Sequence, residues 1–294
     1  MTFKNFCAVF LLTFFNGFAQ SNGQYEFFGA LKLNGNDKEI ISYRIVFEEN
    51  KGVVSGFSIT DLGGEHETKN KIVGTYDKKK KWLTFRESTI VYTKSKITRN
   101  SFCYVNFSGS VVLAGKNPKL DDKFQGLFPD KSKCIDGTIQ MIGAKKIIQT
   151  VKRVEKKIKN SKRVDEATKE KYNPIKMMDS LASNTLRAKQ NLKVFTKDNT
   201  ITVEIKDSGV EDGDRINLYI NGKVILSDYT VKIAPKLVKI TLDQAETDIT
   251  IEALNEGESA PNTADVILRD SQNEIKTISK LKKGNSTIVT IIKE

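Results

Sequence analysis

Short apolar segments of β-strand length recur along the chain at close spacing, and this repetition restricts the fold more than any other feature. Residues 21–144 hold about eight or nine of them, separated by turn residues and without a convincing helical pattern. Such a series is typical of an antiparallel barrel or sandwich and not of alternating strands and helices. The predicted strands are Tyr25–Leu33, Ile40–Phe47, Val53–Ile59, Ile72–Tyr76, Trp82–Phe85, Thr89–Tyr92, Cys103–Val112, Lys123–Leu127 and Thr138–Ile142.

A second series of such segments fills residues 191–294, where we predict a β-sandwich of the Ig-like or jelly-roll type with about seven or eight strands. Its clearest element is a hairpin, because a strand ending at Ile220 runs directly into Asn221-Gly222. Asparagine and glycine both accept the positive φ angles of a type I′ turn. The chain is therefore predicted to be mostly β, with two β-domains.

A short basic connector, residues 145–190, separates the two series. Nine basic residues and one acidic residue between 145 and 163 give this stretch +8 of the chain's net charge of +12. Apolar residues recur within it at helical spacing, namely Ile147, Val151, Val154 and Ile158. We predict a helix here, and a second helix that begins at Asn173-Pro174 and runs through Ile175–Leu181.

Four cations of the first helix are candidate contacts to an anionic surface such as lipopolysaccharide, an acidic glycan or phospholipid: Lys152, Arg153, Lys156 and Lys157. The alternative is a solvated spacer whose narrow apolar stripe packs on a domain. No aromatic residue for base stacking lies in or near this helix, which argues against nucleic acid. Its apolar residues are mostly β-branched, whereas an interfacial membrane helix usually carries Trp, Phe or Leu.

The first residues have the pattern of a secretory signal peptide, predicted to span residues 1–19. One charge, Lys4, precedes the apolar run Phe6–Phe15, and small residues then stand before a cut at Gln20. Cys7 lies inside the apolar core, so we do not expect a lipoprotein attachment site. No later stretch approaches the length of a membrane span. The mature chain is predicted to be exported to the periplasm, the outer surface or the exterior.

Cleavage of the signal peptide would leave two cysteines, Cys103 and Cys134. Two cysteines in an oxidising compartment favour one disulfide over two buried thiols. We therefore predict that Cys103 and Cys134 are bonded.

The chain offers little for catalysis. His66 is its single histidine, so a site with several histidines is excluded and any histidine-dependent mechanism would need this residue. Glu65 and Glu67 flank it, but the adjacent glycines favour an exposed loop. The run Lys78–Lys81 is interpreted as a solvated hairpin tip. We predict that the protein is not an enzyme; a hydrolase using two distant carboxylates is an alternative that rests only on the number of acidic residues.

An acidic loop in the second β-domain is a candidate calcium site. Calcium takes six to eight oxygen ligands, often from loops rich in aspartate. The spacing differs from an EF-hand, because Gly209 stands where the third-position ligand would be. The alternative is a turn whose side chains bind local backbone groups. The candidate ligands are Asp207, Glu211, Asp212, Asp214 and Asn255.

A longer motif covers the same loops. It reads Asp207-x-Gly209-x-x-Asp212-Gly213-Asp214-x-Ile216-x-Leu218-x-x-Asn221-Gly222, followed by Ala253-x-Asn255-x-Gly257 and Pro261-Asn262-Thr263-Ala264. In this motif the C-terminal half resembles a β-sandwich module of uncharacterised secreted and cell-surface proteins of the Bacteroidetes. The resemblance covers about Leu192–Asp270. It implies export and a non-enzymatic accessory role, and it carries no catalytic residues over to this chain.

Together these features predict an exported, non-catalytic protein with two β-domains that binds a surface, a glycan or a protein partner. No cofactor is expected apart from calcium in the acidic loop. The alternative is a lipocalin-like carrier or sensor that holds a small apolar ligand within residues 21–144. An empty apolar barrel interior would favour the carrier, whereas a filled interior would favour the binding protein.

Overall fold

The computed structural model describes residues 23–35, 40–161, 163–165, 183–207, 209 and 211–294. These residues form a mostly β protein, with one α-helix and one short 3₁₀ turn (Arg99–Ser101) in the part described. The helix, α1, spans Ala144–Lys159. The strands are β1 Gln24–Leu33, β2 Ile40–Asn50, β3 Val53–Thr60, β4 Thr68–Asp77, β5 Trp82–Thr93, β6 Tyr104–Val112, β7 Lys119–Leu127, β8 Gly137–Gly143, β9 Asn184–Leu186, β10 Asn191–Thr196, β11 Thr200–Lys206, β12 Arg215–Ile220, β13 Lys223–Thr230, β14 Lys236–Thr241, β15 Glu246–Ala253, β16 Asn262–Arg269, β17 Glu274–Leu281 and β18 Ser286–Lys293.

Strands β1–β8 form a closed antiparallel barrel, one of the two architectures that the sequence predicts for this region. Each strand pairs with the next one along the chain, and β8 pairs with β1 to close the barrel. The predicted strands Trp82–Phe85 and Thr89–Tyr92 are two parts of one strand, β5, which reduces the count to eight. The pairing of β4 with β5 has two register irregularities, one at Ser88 between these parts and one at Val91 within the second part. A bulge bends a strand without ending it, which is why the sequence pattern shows a break.

Successive side chains of each strand point alternately inward and outward, and the inward-pointing side chains fill the barrel interior. The rings of Phe27 and Phe47 stack with centroids 6.3 Å apart. Glycine is needed where strands approach closely, since a Cβ on Gly29 or Gly74 would overlap the backbone carbonyl of Gln140 or Thr84. The interior apolar residues are Phe27, Leu31, Tyr43, Ile45, Phe47, Val54, Ile72, Leu83, Phe85, Val105, Phe107, Val111, Leu113, Leu120, Phe124, Ile139 and Met141.

The second β-domain consists of two packed β layers of five strands each, which confirms the predicted β-sandwich, and one layer continues through β10 into the barrel sheet. Nine strands, β10–β18, lie within 191–294, more than the seven or eight predicted. One sheet has the order β13-β12-β15-β18-β10 and the other β14-β11-β16-β17-β9. The predicted hairpin joins β12 to β13, with φ of 48° at Asn221 and 77° at Gly222. Strand β9 lies within the range 145–190 that was assigned to the connector. Its three buried residues are too few for alternation to reveal.

The barrel and the sandwich share a buried junction. The end of β5 extends beyond the barrel pairing and pairs with β10, matching Thr93 with Lys193. Tyr92 packs in the core of the sandwich rather than in that of the barrel. Beside it, the side chains of Lys94 and Glu67 form an ion pair of 3.4 Å and are 1% and 4% exposed. The junction is thus built from strand pairing, apolar contact and a buried charge pair.

The basic helix predicted after the barrel is confirmed as α1, which begins directly after β8. Its stripe is only partly covered, because Ile147, Val151 and Ile158 are half-buried and Val154 is 38% exposed. No helix in the part of the chain described combines the length and apolar character that crossing a bilayer requires. The predicted signal peptide (1–19) and the predicted second helix from Asn173-Pro174 to Leu181 lie outside the described residues.

The predicted disulfide between Cys103 and Cys134 is present, with the two Cα atoms 6.0 Å apart. Cys103 immediately precedes β6, and Cys134 lies in the loop before β8. The bond therefore links two loops at the end of the barrel that faces the sandwich.

Candidate functional site

A cleft of about 1040 Å³ lies on the outer face of the barrel, beside helix α1. Helix α1 forms one wall, and the loop between β6 and β7 forms another. The floor is part of β1, β2 and β3, contributed by residues such as Glu26, Arg44 and Phe57. Helix α1 stands beside the barrel because β8 runs into it without a linker.

The floor of the cleft combines charged and aromatic side chains. The Arg44 guanidinium forms an ion pair of 2.6 Å with Glu26 and also stacks on the Phe28 ring, 5.1 Å from its centroid. The Lys69 ammonium lies 4.1 Å from the centroid of the Phe57 ring. Burial, reinforced by the charge of Arg44, lowers the pKa of Lys69 to about 8. Cation–π contacts with Phe28 and Lys69, which lie outside the lining, thus help to fix Arg44 and Phe57 in the floor.

The lining of the cleft is strongly basic. Its five cations are Arg44, Lys116, Lys145, Lys146 and Arg153. Glu26 is the one acidic residue among the described residues that line it, and that carboxylate already pairs with Arg44. A low-dielectric wall with charges of one sign concentrates the potential inside a cleft.

The structure separates the four basic residues that the sequence selected on α1. Arg153 lines the cleft, whereas Lys152, Lys156 and Lys157 are exposed and are absent from its lining. Lys145 and Lys146, at the start of the helix, line the cleft and were not selected. The sequence points to the helix that forms one wall of this cleft, but helical spacing alone does not reveal which side of the helix meets the barrel.

The five predicted calcium ligands do not come together as one set. The carboxylate of Asp207 accepts the N–H of Gly209 at 2.9 Å, and that of Glu211 accepts the N–H of Ile233 at 2.8 Å. Asn255 is also occupied, because Oδ1 accepts the N–H of Arg215 at 2.6 Å and Nδ2 donates to the Gly213 carbonyl at 2.7 Å. These three side chains hold the loops together, which was the alternative reading of the acidic loop.

Asp212 and Asp214 differ from the other three. Oδ2 of Asp214 accepts the N–H of Thr263 at 2.7 Å, and Oδ2 of Asp212 accepts the N–H of Ser259 at 3.2 Å. The Oδ1 atom of each is buried and has no hydrogen-bond partner. Burial raises the pKa of Asp214, and the charges of Asp212 and Asp207 raise it further.

One polar residue beside these carboxylates was missed. Asn262 is fully buried, and its Oδ1 atom also has no hydrogen-bond partner. In the sequence, Asn262 follows Pro261, and nothing beyond its place in the module motif indicates that its amide is part of a site. Within the residues that the structure describes, no three or more His, Cys, Asp or Glu side chains are grouped so that they could hold a metal ion.

Two further carboxylates are buried: Glu87, which looks like an ordinary residue of an alternating strand, and Glu67, for which the sequence predicts an exposed loop and which is 3% exposed. Glu87 lies inside the barrel, where its oxygens accept hydrogen bonds from the hydroxyls of Tyr43 and Ser58 and from the N–H of Val105. Burial raises its pKa, and these hydrogen bonds partly oppose the rise. Glu67, at the junction, accepts from the Tyr92 hydroxyl at 2.8 Å.

The remaining candidates from the sequence are at the surface. His66 is exposed in the loop between β3 and β4, and its backbone N–H donates to Asp61. The run Lys78–Lys81 is the exposed tip of the hairpin that joins β4 to β5, where the Asp77 carboxylate accepts two backbone N–H groups. Both positions agree with the loop and turn predicted for them.

Comparison with protein-family models, with curated proteins and with solved structures returned no match.

Proposed function

We propose that the protein is an exported, non-catalytic binding module and that the cleft between α1 and the barrel takes an acidic glycan. The observation that carries the proposal is the concave cleft of about 1040 Å³, lined by five cations and one carboxylate. Carboxylates and sulfates of such a glycan are suited to charge-assisted hydrogen bonds from lysine and arginine. Aromatic residues in the lining, Tyr25 and Phe57 among them, offer apolar contact to sugar rings.

The shape of the site favours a glycan over the other anionic partners. A membrane surface is flat, whereas these cations converge on a cleft. Ile148, the exposed apolar residue of α1 in the lining, stands on the cleft side, and the helix carries no Trp, Phe or Leu for insertion into lipid. The described part of α1 also carries no aromatic residue for stacking on nucleic-acid bases.

The carrier alternative has less support. Eight-stranded barrels have an interior just wide enough for side chains to fill or for one small ligand. Here large side chains such as Tyr43, Phe47 and Phe124 occupy the interior. A stoichiometric apolar ligand, extracted with organic solvent from the purified protein and identified by mass spectrometry, would revive this alternative.

Export is part of the proposal and has three supports. The first is the signal-peptide pattern of residues 1–19. The second is the Cys103–Cys134 bond, which is compatible with an oxidising compartment. The third is the resemblance of the C-terminal half to a module of secreted and cell-surface proteins. Mass spectrometry of the mature protein from its host would test the cut before Gln20.

The binding proposal is tested by calorimetry on the mature chain, with a size-defined heparin oligosaccharide as the acidic probe. Salt is held at about 0.15 M, where exposed charges further apart than about 8 Å are screened. We expect binding of this probe and none of a neutral malto-oligosaccharide of equal length. Preferential binding of phosphatidylglycerol vesicles or of duplex DNA would show that the partner is lipid or nucleic acid and not a glycan. Binding of none of these probes would overturn the proposal.

A matched pair of double variants locates the site. Lys146→Glu with Arg153→Glu reverses two cations of the lining, whereas Lys152→Glu with Lys156→Glu makes the same charge change on the same helix outside it. We expect the first pair to weaken binding by about tenfold or more and the second by less than about threefold. Circular dichroism checks that α1 persists in both. An equal loss in both pairs would indicate general charge attraction instead of a cleft.

A further inference from the structure

We infer that Asp212, Asp214 and Asn262 are ligands of a divalent cation of the calcium type at the outer end of the sandwich. The inference rests on three buried oxygen atoms that have no hydrogen-bond donor: Oδ1 of Asp212, Oδ1 of Asp214 and Oδ1 of Asn262. Buried acceptors are almost always satisfied in native proteins, so three in one pair of loops require an explanation. The site is independent of the glycan cleft and shares no residue with it.

Backbone hydrogen bonds bring the three residues into the same loop pair. Oδ2 of Asp214 accepts the N–H of Thr263, the residue after Asn262. The backbone carbonyl of Asp212 accepts the N–H of Glu258 at 2.9 Å. A Cβ at Gly257 would lie 2.6 Å from Oδ1 of Asp212, so the second loop approaches this carboxylate as closely as only glycine allows. The turn before β12 is therefore fixed against the loop before β16.

The orientation of the Asn262 amide follows from its partners. Its Nδ2 atom donates to the Arg215 carbonyl at 3.1 Å and lies 3.4 Å from Oδ1 of Asn255. Oδ1 of Asn255 is itself fixed as an acceptor by the N–H of Arg215. Both contacts require the nitrogen on that side, so the free atom of Asn262 is an oxygen. Asn262 is also 0% exposed, which excludes bulk water as its partner.

A cation satisfies this set better than a proton does. A proton on one carboxyl group would donate to one neighbouring acceptor, so it would satisfy two of the three oxygens and leave the third without a donor. A divalent cation binds all three oxygens and neutralises Asp212 and Asp214, whose charges repel each other. Carboxylate and amide oxygens are hard ligands, which favour calcium or magnesium over zinc or copper. Two carboxylates and one amide leave positions for backbone carbonyls and water, as the flexible coordination of calcium permits.

The test is a calcium titration of the full mature chain after treatment with a chelator, followed by calorimetry and thermal melting. We expect one equivalent of Ca²⁺ to bind with a Kd of about 10⁻⁴–10⁻³ M, in the range of extracellular modules, and to raise the Tm. Magnesium, which demands stricter octahedral geometry, should bind at least about tenfold more weakly. The absence of both heat and Tm shift at calcium concentrations well above this range would overturn the inference, whatever the result with glycan.

Variants assign the ligands. Asp212→Asn removes a charge at a half-buried position and should weaken calcium binding by about tenfold or more. Asp243→Asn removes the same charge from an exposed loop of the same domain and should leave the affinity unchanged. Equal affinities of the Asp212→Asn variant and the unaltered chain would overturn the assignment. If the variant does not fold, the titration of the unaltered chain against Mg²⁺ still decides whether a selective site exists.

Discussion

The barrel and the sandwich both contain buried carboxylates, but the hydrogen bonding of Glu87 in the barrel differs from that of Asp212 and Asp214 in the sandwich. In the barrel, Oε1 of Glu87 accepts from Tyr43 at 2.9 Å and Ser58 at 2.5 Å, and Oε2 accepts from Val105 at 2.8 Å. In the sandwich, Asp212 and Asp214 each keep one buried oxygen without a donor. The chain itself satisfies the first carboxylate, which is therefore part of the structure. Asp212 and Asp214 each have a buried oxygen that receives no hydrogen bond from the chain. This difference distinguishes the proposed ligand site from a polar core.

The largest effect should come from removing the satisfied carboxylate. Glu87→Ala leaves two hydroxyls and one N–H buried without an acceptor, and it opens a cavity in the barrel. We expect a loss of about 3–5 kcal/mol in the free energy of unfolding, measured by urea denaturation. Glu48→Ala, at an exposed position of β2, serves as the control and should change it by less than about 0.5 kcal/mol. A loss below about 1 kcal/mol for Glu87→Ala would contradict the structural role.

The buried carboxylate of Glu67, at the junction, tests whether a cation supplied by the chain stabilises a carboxylate as the proposed metal ion does. Lys94→Met removes its ion-pair partner and leaves the charge with the Tyr92 hydroxyl and the N–H of Gly63 as donors. We expect a loss of about 2–4 kcal/mol, concentrated at the junction of the two domains. Calorimetric melting should then resolve two transitions. One unchanged transition would show that the ion pair does not couple the barrel to the sandwich.

The pH dependence of stability sharpens the description of Glu87. Burial raises its folded pKa above the ordinary value, so the folded state holds the proton more tightly than the unfolded state. The stability from this group is complete below the unfolded pKa and is lost as pH rises through the folded pKa. Relative to Glu87→Gln, the unaltered chain should therefore lose stability across this window. Urea unfolding from about pH 4 to about pH 8 measures the difference; parallel curves would contradict it.

A smaller effect of opposite sign is expected in the sandwich. Asp214→Asn, with chelator present, replaces a carboxylate repelled by Asp212 and Asp207, and the amide oxygen can still accept the N–H of Thr263. We expect a gain of about 0.5–1 kcal/mol in the free energy of unfolding. Calcium should reverse the order, because only the unaltered chain retains both charges. A loss in chelator of the size found for Glu87→Ala would remove the distinction between the two regions.

The smallest effect should come from surface charge alone. Lys79→Ser with Lys80→Ser alters the exposed tip between β4 and β5, outside the cleft lining. We expect changes below about 0.5 kcal/mol in stability. Calorimetry with the heparin oligosaccharide should show less than about a threefold change in affinity. A loss equal to that of the cleft variants would mean that net charge, not the cleft, attracts the glycan.

Local patterns in the sequence predicted much of the fold. Alternation placed most strands, Asn221-Gly222 placed a hairpin, and cysteine counting placed the disulfide, because each of these signals depends on nearby residues or on very few choices. The bulged strand β5 was read as two strands because its alternation changes phase in the middle. Closure of the barrel joins β1 to β8 across about 100 residues, which no local pattern specifies.

The sites were harder to predict because they are assembled from distant residues. The cleft needs α1 against β1–β3, so Arg153 was selected by charge while Lys145 and Lys146 were passed over. In the acidic loop, composition selected Asp212 and Asp214 together with three residues that bind the backbone. Asn262 was missed because an asparagine becomes informative only when its oxygen is found buried without a donor.

The central claim is that two separate sites, one on the barrel and one on the sandwich, bind two different ligands. Hydrogen exchange of the full chain with each ligand in turn tests it most directly. The heparin oligosaccharide should slow exchange in residues 24–27 and 144–153, and calcium should slow it in 211–215 and 254–263. Each ligand should leave the other ligand's segments unchanged. Protection of the same segments by both ligands, or no protection by either, would contradict the account.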